Sequence, residues 1–145
     1  MPTMEELGFE QIFTNEFGSG YTNEEKSSIA LVAQADYIPI KNFKQLFYML
    51  GDEIEANPVY TKLIFDKRSL RTFHQPSMKW YFMDWKTEMI QYGLCKHYKI
   101  LPDLGYFQKA VEAARKPLLK KFPQDVLAKL SIEYADDIED ALKAE

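Results

Sequence analysis

The chain has 145 residues, of which 28% are charged and 46% hydrophobic, and its net charge is −4. That length suits one domain around a single core, and the composition excludes a disordered or fibrous chain. No apolar run nears the roughly 20 residues of a membrane-spanning helix, and a weakly negative chain lacks the basic footprint that nucleic acid binding needs.

Charge is unevenly spread. From Gln124 onward seven acidic residues stand against two lysines, a net of −5 that leaves +1 for the remainder. That end reads as a solvated helix face. Residues 1–10 have neither the basic flank nor the apolar stretch of a signal peptide. Cys95, the single cysteine, can form no internal disulfide. A soluble, cytoplasmic protein without stable membrane insertion is expected.

Phe9, Gln11 and Phe13 alternate with Glu10, Ile12 and Thr14, which predicts a first strand. Gly18-Ser19-Gly20 reads as a flexible hairpin turn. Residues 28–35 are apolar on both faces, as in a strand at the middle of a sheet. Ile40, Phe43, Leu46, Phe47, Leu50 and Ile54 form one helical stripe, and Asn57-Pro58 ends it.

Residues 60–66 predict a buried strand that stops at Asp66-Lys67-Arg68. A helix over 77–92 follows, with Pro76 at its start and an inward stripe of Met78, Phe82, Trp85 and Met89. Gly93 stops that helix, and residues 97–101 give another strand. Strand, crossover helix and strand make a parallel βαβ unit. A helix capped by Asp103 carries Leu104, Phe107, Val111, Ala114 and Leu118 inward, and Pro117 is expected to kink or split it. Residues 128–134 alternate as an edge or half-covered strand, and Asp136 is expected to cap a last short helix.

The order β-β-α-β-α-β-α-β-α predicts a single α/β domain over residues 1–145. It is a sandwich with a mostly parallel central sheet of about five strands, an N-terminal antiparallel hairpin and about four helices.

With this order, the run KLIFDKRSL at 62–70, the helix bearing Trp80 and Trp85, Gly93, the strand HYKIL before Pro102 and the ending SIEYADDIEDAL, the chain resembles the SpoIIAA-like group of bacterial proteins. The fold of that group is shared by STAS and CRAL-TRIO (lipid-binding) domains, and the likeness runs from about Phe9 to Lys143. The resemblance implies a small non-enzymatic module that acts through protein contacts, as STAS-type anti-sigma-factor antagonists and signalling subunits do. Several relatives are switched by phosphorylation of a serine at a helix start. The nearest position here is Ser77, and the Asp-Ser-Ser/Thr-Gly type of surrounding sequence is absent.

The loop 67–74 follows a probable central strand at its carboxyl end, where ligands of parallel sheets bind. Lys67, Arg68, Ser69, Arg71 and His74, with Ser77 at the helix start, could hold a phosphate or carboxylate. The competing account makes them surface charges paired with Asp66, Glu88 or solvent. Arg68 and Arg71 are expected to meet an acidic group of a partner while Trp80 anchors it. Trp80 and Tyr81 fall off the inward stripe, so they form either a partner-binding patch or the floor of an apolar pocket.

Ser69 or Ser77 with His74 and Asp66 supplies the residue types of a hydrolase, without the Gly-x-Ser-x-Gly elbow. No catalytic residue is assigned. Cys95 and His97 share a strand face as buried structural residues, short of the three or four ligands a metal needs. Neither metal nor cofactor is expected. Lys109, Arg115, Lys116, Lys120 and Lys121 read as a solvated helix face. The sequence thus points to a protein-interaction or regulatory module. The alternative is a CRAL-TRIO-like binder of a small apolar ligand, and residues 128–134 offer an edge for a homodimer.

Overall fold

The structure, a computed structural model, describes residues 2–121 and 124–144. Six strands form one sheet in the order β1 (Glu10–Thr14), β2 (Gly18–Asn23), β3 (Ser28–Ala33), β4 (Lys62–Asp66), β5 (Lys96–Ile100) and β6 (Ser131–Tyr134). The steps from β1 to β3 are antiparallel and those from β3 to β6 are parallel. Each parallel step needs a long crossover. Helix α1 (Ile40–Ala56) links β3 to β4, and α4 (Gly105–Lys121) with α5 (Gln124–Leu127) links β5 to β6. Between β4 and β5 the chain runs through α2 (Gln75–Trp80), a π-helical segment (Tyr81–Trp85), α3 (Lys86–Met89) and a 3-10 turn (Ile90–Tyr92). Helix α6 (Ile138–Lys143) follows β6.

Alternation along the central strands divides the core in two. Ile29, Leu31, Leu63 and Phe65 pack against α1, the 75–92 rod and α4. Ala30, Ile64, Tyr98 and Ile100 pack against α6 and Phe9. Every residue of β4 is buried, as the middle of a doubly covered sheet requires.

The sheet has one strand more than expected, because Gly18-Ser19-Gly20 lies inside β2 and not in a turn. The turn sits earlier, where Asn15 Oδ1 accepts the N–H groups of Phe17 at 2.8 Å and Gly18 at 3.1 Å. Gly20 is needed for close approach: a Cβ there would collide with the ring of Phe13. Two helix details also differ. Asp137, not Asp136, caps α6 by accepting the Asp140 N–H at 2.8 Å. Pro117 lies inside α4, which runs on past it to Lys121 without splitting.

One buried lysine ties the layers together. Lys62 on β4 sends its Nζ to the carbonyls of Ala141 at 2.8 Å, Leu142 at 3.3 Å and Ala144. The last carbonyls of a helix have no intrahelical donors, and the dipole there favours a cation. Lys62→Met should therefore lower stability by about 2–3 kcal/mol, the scale of charged hydrogen bonds lost from a buried site. Urea unfolding checks this as a lower midpoint at unchanged slope.

Candidate functional site

The 67–74 loop is pinned at several points. The Lys67 N–H donates to the Ile100 carbonyl at 2.8 Å, and the Arg71 N–H donates to the Asp36 carbonyl at 2.8 Å. Ser69 Oγ donates to the Ala35 carbonyl at 2.9 Å, so this hydroxyl serves the loop and not a ligand. The loop separates two recesses, and the expected site residues divide between them.

The outer recess is a cleft of about 610 Å³ at the carboxyl ends of β4, β5 and β6. Arg68 and Arg71 line it, and Asp103, Glu112 and Asp136 line it as well. Arg68 is clamped by Asp66, with Nε on Oδ1 at 3.0 Å and Nη2 on Oδ2 at 2.8 Å. That hydrogen bonding raises the guanidinium further above its ordinary value. Arg71 Nη1 donates to the carbonyls of Arg68 at 2.9 Å and Leu70 at 3.0 Å. Tyr106 Oη donates to the Arg71 carbonyl at 2.8 Å. Both arginines are thus pre-set in place, which lowers the entropy lost on meeting a partner.

The inner recess is a chamber of about 40 Å³ lined by Lys67, His74, Ser77, Phe65, Tyr81 and Phe107, among others. It has room for about three waters, given the volume that one water needs. His74 Nδ1 and Ser77 Oγ are 2.8 Å apart, so two of the three hydrolase residue types do meet. The third does not join them, because both carboxylate oxygens of Asp66 are engaged by Arg68. Ser77 is also buried, at 4% exposure.

Trp80 belongs to neither recess. It meets Phe43, Phe47 and Tyr48 of α1 edge-on, with centroids 6.2, 6.3 and 5.5 Å away. The expected anchor beside Arg68 and Arg71 is therefore a helix-packing residue. Tyr81 is not surface either, at 1% exposure. The π turn explains this. The Lys86 N–H bonds the Tyr81 carbonyl, five residues back, where an α-helix would set those side chains roughly 140° apart. The wider turn brings both Tyr81 and Lys86 to the inside.

Behind the chamber lies a group of which the sequence patterns singled out only His97, as a buried strand residue. Lys86, His97 and Lys99 are each fully buried. Lys99 and His97 alternate with Tyr98 on β5 and so face the helices. Lys86 Nζ is 3.8 Å from the Phe82 ring centroid and 4.7 Å from that of Tyr81. Lys99 Nζ is 4.3 Å from Phe82 and 5.6 Å from Tyr81. The Tyr81 hydroxyl and His97 Nδ1 are 3.4 Å apart. Apart from each other, the two amines have no hydrogen-bond partner among the described residues, and His97 Nε2 has none either.

Burial pushes both amines well below the ordinary lysine range; the charges of Lys67 and Arg115 add to this at both and that of Lys86 adds to it at Lys99, while a hydrogen bond with Lys99 works against it at Lys86. Burial lowers Lys67 to about 8. Burial, then the charges of Lys86 and Lys99, lowers His97. Cys95, expected to be buried with His97, is partly exposed at the start of β5. Set against protein-family models, curated proteins and solved structures, the chain matches none.

These depressed lysines fix the sign of a pH effect. The unfolded chain holds their protons up to the ordinary value of 10.5, whereas the folded chain releases Lys67's near 8 and those of Lys86 and Lys99 well below 10.5. Stability therefore rises with pH across that interval. Tyr60, pushed up to about 12 by burial and Glu53, and Tyr81, raised by burial, act oppositely above about pH 10. Chemical unfolding at a series of pH values should show a maximum near pH 10. Lys99→Met should stabilise the protein by about 1–3 kcal/mol at neutral pH and flatten the rise, the reverse of Lys62→Met.

Proposed function

We propose that this chain is a non-enzymatic protein-interaction module whose working surface is the outer cleft. The observation that carries this reading is a cleft of about 610 Å³ with arginines and carboxylates on its walls. Such a surface fits a partner segment bearing both charges, an acidic side chain for Arg71 and a basic one for Glu112 or Asp136. Tyr106 and Tyr134, at 60% and 45% exposure, offer the aromatic contact area common at interface hot spots. The outer edge of β6 adds backbone groups that a partner strand, or a second copy of the chain, could pair.

The resemblance to SpoIIAA-like, STAS-type proteins supports the same reading, since those modules act through protein contacts. The alternative within that resemblance, a lipid-type ligand, would have to open the aromatic chamber many-fold beyond its 40 Å³.

A photo-crosslinking amino acid at Gln108, exposed on the cleft wall, should yield a discrete adduct in the native host. Arg71→Glu should reduce that adduct at least about tenfold, the effect of ~1.4 kcal/mol, and Lys41→Glu on exposed α1 surface should leave it unchanged. An adduct indifferent to Arg71→Glu would remove the cleft from consideration.

A further inference from the structure

The cations around Tyr81 present a problem of charge. Lys67 comes from the end of β4, Lys86 from α3, His97 and Lys99 from β5, and Arg115 from α4. The charges that act on Lys86, His97 and Lys99 are all cationic, and no carboxylate is among them. Elsewhere the fold treats buried ions differently: Asp66 is clamped by Arg68, and Lys62 is held by carbonyls. Arg115 shares the defect in part. Its Nη1 reaches Tyr134 Oη at 3.2 Å, but its buried Nε has no partner.

The chamber adjoins this cluster, and Tyr81 is the wall between them. Its ring lines the chamber and stands 4.7 and 5.6 Å from the two amines. Lys67 reaches the chamber directly, with its Nζ 4.9 Å from the Phe65 ring, another wall. His74 and the exposed Tyr37 stand edge to face at the rim, with centroids 5.9 Å apart. The chamber therefore combines space for a few heavy atoms, one lining amine and cationic side chains behind aromatic walls that screen charge less than water does.

We propose that the chamber is a binding site for one small oxyanion, a short carboxylate or an inorganic anion of similar size, held directly by Lys67 and charge-balanced by Lys86 and Lys99 behind Tyr81. The site is separate from the cleft and does not depend on what the cleft binds. The anion supplies the negative charge that no side chain in the cluster provides. Its arrival favours the protonated amines, so binding is coupled to proton uptake. The titratable groups that face it are Tyr37 and His74 at the rim, Lys67 and Tyr81 in the wall, and Lys86, His97, Lys99 and Arg115 beyond.

Isothermal titration calorimetry with sodium acetate, bicarbonate, phosphate and sulfate tests this, at constant ionic strength in a chloride background. Each titration is run in two buffers that differ in ionisation enthalpy. At least one anion should bind with one-to-one stoichiometry and take up protons, and the selectivity among the four distinguishes carboxylate from inorganic recognition. Lys67→Met should weaken that binding at least about tenfold, or ~1.4 kcal/mol. Lys99→Met, folded and more stable in anion-free buffer, should lose most of the proton uptake. Lys41→Met on exposed α1 surface should change neither. Absence of saturable binding by all four anions overturns the proposal, as does undiminished affinity in Lys67→Met or unchanged proton uptake in Lys99→Met.

Discussion

The structure depends on β4 and β5 being neighbouring parallel strands covered on both faces. Parallel pairing requires the long crossover 67–95, and that crossover lays its helical rod over one face. Helix α6 covers the other. Nearly every side chain on the two strands, Lys96 at the start of β5 excepted, must then find a place indoors, whatever its charge. Lys62, Asp66, His97 and Lys99 are all buried for this reason, and each stands in a different electrostatic environment. Lys62 ends a helix, Asp66 clamps Arg68, and His97 meets a tyrosine hydroxyl. Lys99 faces aromatic rings and another amine.

Alternation past the end of β4 also explains why one short loop serves two recesses. Lys67 continues the face of Leu63 and Phe65 and reaches the chamber. Asp66 belongs to the opposite face, and it draws Arg68 to the cleft. The sequence Asp-Lys-Arg thus places two consecutive cations in unlike surroundings. Arg68 keeps a carboxylate within 2.8 Å and stays half in solvent. Lys67 lies almost wholly out of water, without an anion. The two charges are not interchangeable parts of one basic patch.

Much of the fold was legible because its signals are local. The apolar run of β4, the α1 stripe and the Gly93 stop each rest on a few adjacent residues, and all lie where expected. Strand β2 was missed because its glycines are turn formers in isolation, and the use of Gly20 depends on the Phe13 ring from another strand. Tyr81, expected off the inward stripe, is buried because a π turn breaks the 3.6-residue count, and nothing in YFMDW marks that break. The buried amines had a signal that went unread. In a strand flanked by parallel neighbours on both sides, the charged residues of KHYKI cannot all reach solvent. Lys86 had no such signal, since its inward position follows from the π turn.

His74 and Ser77 touch, but the acid that would orient the imidazole is held by Arg68, so the contact stops short of a relay. Clamping costs Asp66 its freedom to serve there and gives Arg68 a fixed pose at the cleft. What is unusual lies in the amines. Two lysines pack on one pair of aromatic rings, where burial first, and then the charges of Lys67 and Arg115, raise the cost of ionising either. A fold that needed greasy packing alone at positions 86 and 99 would be more stable with methionine there. Retaining amines at both positions is therefore a cost in stability that packing does not explain, and charge placed beside a small accessible chamber is the physical consequence that does distinguish them from apolar side chains.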